Sequence, residues 1–218
     1  MAFTLINAGP SPYGRKVAIA LLEKGLDFDV VLDTPWAAGT ITPHHSPLEQ
    51  LPILIANGET VYDSSYILEW IETRFPEPPL LPADADGRLA ARKRQMLGER
   101  LMEVMTLLLF ELHRPEPGKD WVDRQTRKMH GGLAALDQLY EQRAITGETI
   151  DLGDIAVATT VLVFEHAVTA GYSPDIAAMR WRGKYPALTK FVVSIEQRPS
   201  FVATRPQDMA LDLAATVG

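Results

Sequence analysis

The sequence predicts an α/β domain followed by an all-helical domain. Three observations predict it. From Phe3 to Phe75, short apolar strand-like runs alternate with helical patterns. A proline-dense segment follows, Phe75-Pro76-Glu77-Pro78-Pro79-Leu80-Leu81-Pro82, and it cannot continue a helix. From Asp86 onward strand signals nearly vanish and long helical patterns take over. The expected domains are therefore 1–79 and 86–218.

Each element has a local cause. Phe3-Thr4-Leu5-Ile6 reads as a strand. Ser11 is a favoured N-cap and Pro12 a favoured first helical residue, so a helix runs from Pro12 to about Lys24, stopped by Gly25. Phe28 to Leu32 is a second strand. Thr34 to Pro47 holds three prolines, a glycine and two adjacent histidines, and reads as irregular with a short helical turn. Leu51 to Ile55 is a strand opened by Pro52, a position where proline is tolerated. Asn57-Gly58 is a strong hairpin signal and leads into Val61-Tyr62. Asp63, Ser64 and Ser65 then start a helix that runs from Tyr66 to Phe75.

The second half is helical throughout. Arg88 to His113 carries Leu89, Met96, Leu97, Leu101, Val104, Met105, Leu108 and Leu109 at helical spacing. Trp121 to Tyr140 is a second such pattern. Asp151 with Asp154 three residues later imitates a capping box, flanked by Ile150 and Ile155 at the staple positions. The helix that follows, to about Ala170, is apolar almost all round and predicts a buried central helix. Tyr185-Pro186 to Gln197 is a further helix, ending at Arg198-Pro199. There is no internal repeat.

Composition narrows the function. The 218 residues are 46% hydrophobic and 22% charged, enough for a real core. The net charge of −7, without a basic cluster, argues against nucleic-acid binding. Arg92-Lys93-Arg94 lies in a helical pattern and reads as a solvated face. There is no cysteine, which excludes disulfides, thiolate metal sites and a cysteine nucleophile. Any thiol chemistry must use a thiol that a ligand brings. No signal peptide is visible, and no uninterrupted apolar run approaches the ~18 residues of a membrane span. A cytoplasmic protein with no membrane partner is expected.

Two helix starts carry the chemistry. Ser11 sets a hydroxyl at a helix N-terminus, where orphan N–H groups and the helix dipole favour an anion. Asp63-Ser64 offers an acidic group and a hydroxyl at a second start. Either can also be an ordinary cap. Ser11-Pro12-Tyr13-Gly14-Arg15-Lys16-Val17, Gln50-Leu51-Pro52 and Asp63-Ser64-x-x-Ile67, in this order, resemble the N-terminal thioredoxin-like domain of the cytosolic glutathione transferases. The helical second half is similar to that family's C-terminal domain, and its central helix begins there with such a cap, in a folding role.

The resemblance implies the glutathione transferase fold, glutathione as cosubstrate and a homodimer. It implies a cis Pro52, with the backbone of Leu51 pairing the cysteinyl part of glutathione. Asp63 and Ser64 would hold the γ-glutamyl end, and Gln50 the glycyl end. Ser11 would contact the thiol. Two departures stand out: Glu49 occupies a position where many members have glycine, and Gln50 one where many have lysine. Tyr13, two positions into the helix, would point away.

The implied reaction is conjugation of the glutathione thiolate to a small apolar electrophile, a detoxifying transferase activity. A thiol of pKa ~8.5 is only about 3% ionised at neutral pH, and lowering it by ~2 units takes ~2.7 kcal/mol of differential stabilisation. A hydrogen bond from Ser11 to the charged sulfur contributes roughly 1.5–3 kcal/mol and the helix start roughly 0.3–1 kcal/mol, which together suffice. A peroxidase acting through glutathione's own thiolate, and a non-catalytic glutathione-binding or regulatory protein, are the alternatives.

Other features read as structure. Adjacent His44 and His45 face different ways and do not form a metal site. Met96, Met102 and Met105 suit core or dimer-face packing, although Met102, Met105 and Phe110 also suit a hydrophobic cleft. Trp36 either flanks the site or is an ordinary half-buried tryptophan. No nucleophile elbow, phosphate loop or dinucleotide fingerprint is present.

Overall fold

The computed structural model describes residues 2–143, 149–171 and 180–209. The chain forms two compact units. Among the described residues, the first comprises 2–88 with 198–209, and the second comprises 89–143, 149–171 and 180–197.

The first unit is a small mixed sheet with helices. Strand β1 (Phe3–Asn7) is followed by α1 (Pro12–Glu23) and β2 (Asp29–Leu32). A single 3-10 turn spans Thr42–His44. Then come β3 (Ile53–Ala56), β4 (Glu59–Tyr62) and α2 (Ser64–Arg74). The sheet order is β2-β1-β3-β4. β1 pairs parallel with β2 through the α1 crossover and antiparallel with β3, which pairs antiparallel with β4. Asn57 (φ 51) and Gly58 (φ 86) make the hairpin turn that the dipeptide predicts, since both central residues of such a turn need positive φ. β3 begins at Ile53 rather than Leu51, because Pro52 has no N–H to give the ladder.

Leu5, Ile53 and Leu54 of the sheet, Val17 and Leu21 of α1, and Ile67, Leu68 and Ile71 of α2 are buried together as this unit's core. Lys24 is buried too. Its ammonium donates to the Phe75 and Pro78 carbonyls and pairs with Glu72 at 2.7 Å. Pro199 starts a short helix, α7 (Pro199–Ala203), rather than merely ending the previous one. Arg198 and the Ser200 hydroxyl bind the Glu23 carboxylate, which ties this segment to the end of α1.

The second unit takes up most of α3 (Ala85–Leu112), with α4 (Lys119–Glu141), α5 (Leu152–Thr169) and α6 (Pro186–Ile195). α5 is the predicted central helix. It is long and apolar enough to cross a membrane by length and composition, but 72% of it is buried inside the protein. Its capping box is fully formed: Asp154 N–H donates to Asp151, and Asp151 N–H donates to Asp154. Close helix approach explains two glycines. A Cβ on Gly153 would lie 2.3 Å from the Ala91 carbonyl, and one on Gly98 would lie 3.0 Å from the backbone of Ala156.

One expectation is corrected here. Arg94 does not belong to a solvated face; it is 7% exposed and pairs with Asp151 and Asp154 under the start of α5. The helical period turns it inward while Lys93 stays exposed. Met102 and Met105 pack in the core as expected, at 0% and 4% exposure, whereas Met96 is exposed.

Candidate functional site

The ladder brings three separate segments to one end of the sheet. Ile6 of β1 pairs with Ile53 of β3, and Ile53 pairs with Tyr62 of β4. The chain leaving β1 toward Ser11, the chain entering β3 through Leu51-Pro52, and the chain leaving β4 into Asp63 therefore sit side by side. Adjacent strands are about 4.8 Å apart, so the three lie within a span of about 10 Å. β2 ends here as well, with Asn7 opposite Leu32 and Asp33 N–H donating to the Asn7 carbonyl.

Ser11 caps α1 in extended conformation. Its Oγ accepts from the Gly14 N–H at 3.3 Å, and its own O–H has no acceptor among the described residues. It is half-buried. Gly14 is required by close packing: a Cβ there would lie 1.7 Å from Asn7 Oδ1. Asn7 thus locks the end of β1 against the first turn of α1.

Leu51-Pro52 is cis, as the resemblance implies; Glu77-Pro78 is also cis. Pro52 is buried and Leu51 half-buried. Leu51 precedes the ladder, and its N–H and carbonyl bond to none of the described residues. Gln50 is exposed beside it. Glu49 has φ 52, the left-handed conformation that a glycine would adopt without cost.

Asp63 caps α2 from an unusual backbone position, φ 59 and ψ 127. Positive φ is uncommon outside glycine, and aspartate tolerates it better than most residues. Its Oδ1 accepts from Ser65 N–H at 2.8 Å and Tyr66 N–H at 3.3 Å. Its Oδ2 receives no hydrogen bond from the described residues, and the side chain is exposed. Ser64 follows, 5% exposed, and neither its hydroxyl nor its N–H bonds to another described residue. The cap and a ligand role are therefore compatible: one oxygen closes the helix, and the other faces outward beside free donors.

Lys16 escaped the sequence reading. It is fully buried, and its ammonium donates to Ser65 Oγ at 3.4 Å, joining α1 to the start of α2. It lies 5.9 Å from the centre of the Tyr13 ring. The signal was present: Lys16 stands three and four residues before the buried Ile19 and Ala20, on the inward face of α1. A cation and two helix N-termini thus gather at this end of the sheet, which favours anionic ligand groups.

Asp33 organises the neighbouring loop. Its carboxylate accepts from Thr34 N–H, Thr40 Oγ1, Ile41 N–H, Thr42 N–H and Thr42 Oγ1, at 2.6–3.1 Å. Burial opposes its charge, but the Thr40 and Thr42 hydroxyls and the backbone donors outweigh it and hold its pKa below the usual value. This loop carries Trp36, which is 47% exposed. His44 and His45 sit on the 3-10 turn and just after it.

Residues 5–79 match the glutathione S-transferase N-terminal domain, and residues 119–192 match the glutathione S-transferase C-terminal domain. This chain belongs to the glutathione S-transferase family. A GST-like protein of Escherichia coli strain K12, YibF, named as uncharacterised, is 31% identical over 93% of this chain and 98% of its own. A solved glutathione S-transferase from Methylobacterium radiotolerans, in complex with glutathione sulfonate, is 40% identical with a TM-score of 0.87, covering 97% of this chain and 98% of that one. Another glutathione S-transferase, from Methylobacillus flagellatus with glutathione bound, is 30% identical with a TM-score of 0.84, covering 94% and 100%.

Proposed function

We propose that this glutathione S-transferase binds glutathione at the sheet end described above and conjugates its thiolate to a small apolar electrophile. One observation carries the reading. The segments carrying Ser11, Leu51-Pro52 and Asp63-Ser64 lie side by side at one end of the sheet, each with hydrogen-bonding groups that the described fold leaves unused. The glutathione-bound relatives support the choice of ligand.

The residues divide the ligand by charge. The Asp63 carboxylate takes the γ-glutamyl ammonium through Oδ2. The Ser64 hydroxyl and N–H take the γ-glutamyl carboxylate, with Lys16 adding positive potential from beneath. Leu51 pairs its free backbone groups with the cysteinyl peptide. Gln50 donates to the glycyl carboxylate. Ser11 donates its unspent O–H to the sulfur.

The chemistry then needs no protein base. The bound thiol releases its proton to water, because a hydrogen bond and a helix start favour the anion. The thiolate forms a bond to the electrophilic carbon, and the leaving group departs with its electron pair. Ser11 acts as a donor throughout and is neither base nor nucleophile. The active form is a homodimer, and sedimentation at micromolar concentration checks this.

The test is turnover of glutathione with a chlorodinitrobenzene-type electrophile, in the parent protein and in Ser11→Ala. The reading expects turnover in the first and a loss of roughly 10- to 150-fold in kcat/KM in the second, the equivalent of one charged hydrogen bond. Glutathione binding without turnover across a broad electrophile panel would leave only a binding protein.

A further inference from the structure

The ammonium of Lys16 is fully buried, and it lies at the wrong end of a helix for a cation. It donates to Ser65 Oγ at 3.4 Å, in the first turn of α2. The dipole of α2 is positive there and opposes another positive charge. Burial of a charge is costly as well. A methionine in place of Lys16 would fill nearly the same space without either cost. The Tyr13 ring, one turn earlier on the same face of α1, lies 5.9 Å from the ammonium.

Ser65 is the group that meets this charge. Its N–H donates to Asp63 Oδ1 at 2.8 Å, and its Oγ accepts from Lys16. A hydroxyl has one hydrogen to give, and Ser65 gives it to none of the described residues. An oxygen that accepts from an ammonium turns its own hydrogen away from it. It also donates that hydrogen more strongly, because successive hydrogen bonds polarise one another. Ser64, only 5% exposed, leaves its hydroxyl undonated too. Two serine donors therefore stand in succession at a helix start that is backed by a buried cation. What such a group of donors fits is a compact anion.

We propose that Lys16 is a positioning residue for glutathione, acting through Ser65, whose hydroxyl joins Ser64 in holding the γ-glutamyl carboxylate. This role rests on glutathione binding at the sheet end, as proposed above. It adds Ser65, which falls on an unspecified position of Asp63-Ser64-x-x-Ile67, and it gives the buried charge a purpose. The positive end of α2 and Lys16 are then balanced when the ligand arrives rather than when the chain folds.

The test compares glutathione with the analogue in which 4-aminobutyrate replaces the γ-glutamyl residue. The analogue keeps the ammonium for Asp63 and lacks the carboxylate. Calorimetry measures both ligands in the parent, Lys16→Met, Ser65→Ala, Ser65→Thr and the Lys16→Met, Ser65→Ala double variant, with circular dichroism as the check on folding. Lys16→Met and Ser65→Ala should each weaken glutathione at least about tenfold, the scale of a hydrogen bond to a charged group. Each should change the analogue by no more than about twofold. The double variant should lose no more than about twofold beyond either single one, since Lys16 acts through Ser65. Ser65→Thr keeps the hydroxyl and should keep most of the affinity. Ser65 is half-exposed, so its two variants decide the matter should Lys16→Met fail to fold. Equal glutathione affinity in Ser65→Ala and the parent, equal losses for both ligands, or losses that multiply in the double variant would each overturn the role and leave the glutathione reading intact. No glutathione binding by the parent would overturn both.

Discussion

The starts of α1 and α5 are both capped by a short polar side chain, and they are finished in opposite ways. At α5 both capping carboxylates are spent. Asp151 and Asp154 cap each other's N–H groups, Arg94 and Arg143 neutralise them, and the Tyr140 hydroxyl donates to Asp154 at 2.9 Å. Both carboxylates are nearly inaccessible. Burial and the charge of Asp154 push Asp151 upward, against the pull of Arg94. At α1, Ser11 makes a single 3.3 Å cap bond and keeps its O–H free at a half-exposed position. α2 behaves like α1, with Asp63 Oδ2 and Ser64 unspent. A sealed cap holds a fold together, whereas an open one is available to a ligand.

That contrast is best broken at its sealed end. Asp154→Ala removes the cap partner and strands Arg94 and Arg143 near a buried helix start. Breaking such a buried pair costs about 3–5 kcal/mol. Urea unfolding should show this loss, while kcat per folded molecule should be unchanged. Ser11→Ala should do the reverse. It should cost at most about 1 kcal/mol of stability for one cap bond, alongside the loss of turnover given above. A large stability loss in Ser11→Ala, or a dead but fully folded Asp154→Ala, would merge the two classes.

Asp63→Asn sharpens the comparison, because asparagine caps as well as aspartate does. Stability should move by only a few tenths of a kcal/mol, while KM for glutathione should rise about tenfold for the lost charge on the ammonium. A change in stability with no change in KM would make Asp63 a cap alone.

Much of this was readable because the determinants are local. Asn57-Gly58, Ser11-Pro12 and Asp151 with Asp154 act within a few residues, so adjacent chemistry reveals them. The burial of Lys16 and Arg94 was missed: helix phase turns both inward, but a charged residue is normally solvated, and the partner that outweighs this comes from a distant segment, Ser65 or Asp151. The Asp33 hub depends on where Thr40 and Thr42 return to it, and no pattern in Thr34 to Pro47 announces that. The site's members were found through family motifs. Their unspent groups became visible only once the fold's own hydrogen bonds had been placed.

The smallest expected effect is on acid stability. Burial opposes the charge of Glu23, but hydrogen bonds from Arg198 and Ser200 bring its pKa below the usual value, and Asp33 is lowered likewise. A carboxyl lowered in the folded state adds stability above its unfolded pKa of about 4 and loses it as pH falls through the lower folded value. Glu23→Gln and Asp33→Asn should therefore unfold less steeply with acid below about pH 4 than the parent does. An unchanged or steeper acid limb would count against both hydrogen-bonded carboxylates.

The most direct measurement is a pH titration of the thiolate ultraviolet absorbance of glutathione bound at saturation, in the parent protein and in Ser11→Ala. The account predicts a bound thiol that ionises about 2 units below its free value in the parent and returns most of the way toward that value in the variant. A bound thiol that ionises as in free solution, or identically in both proteins, would contradict it.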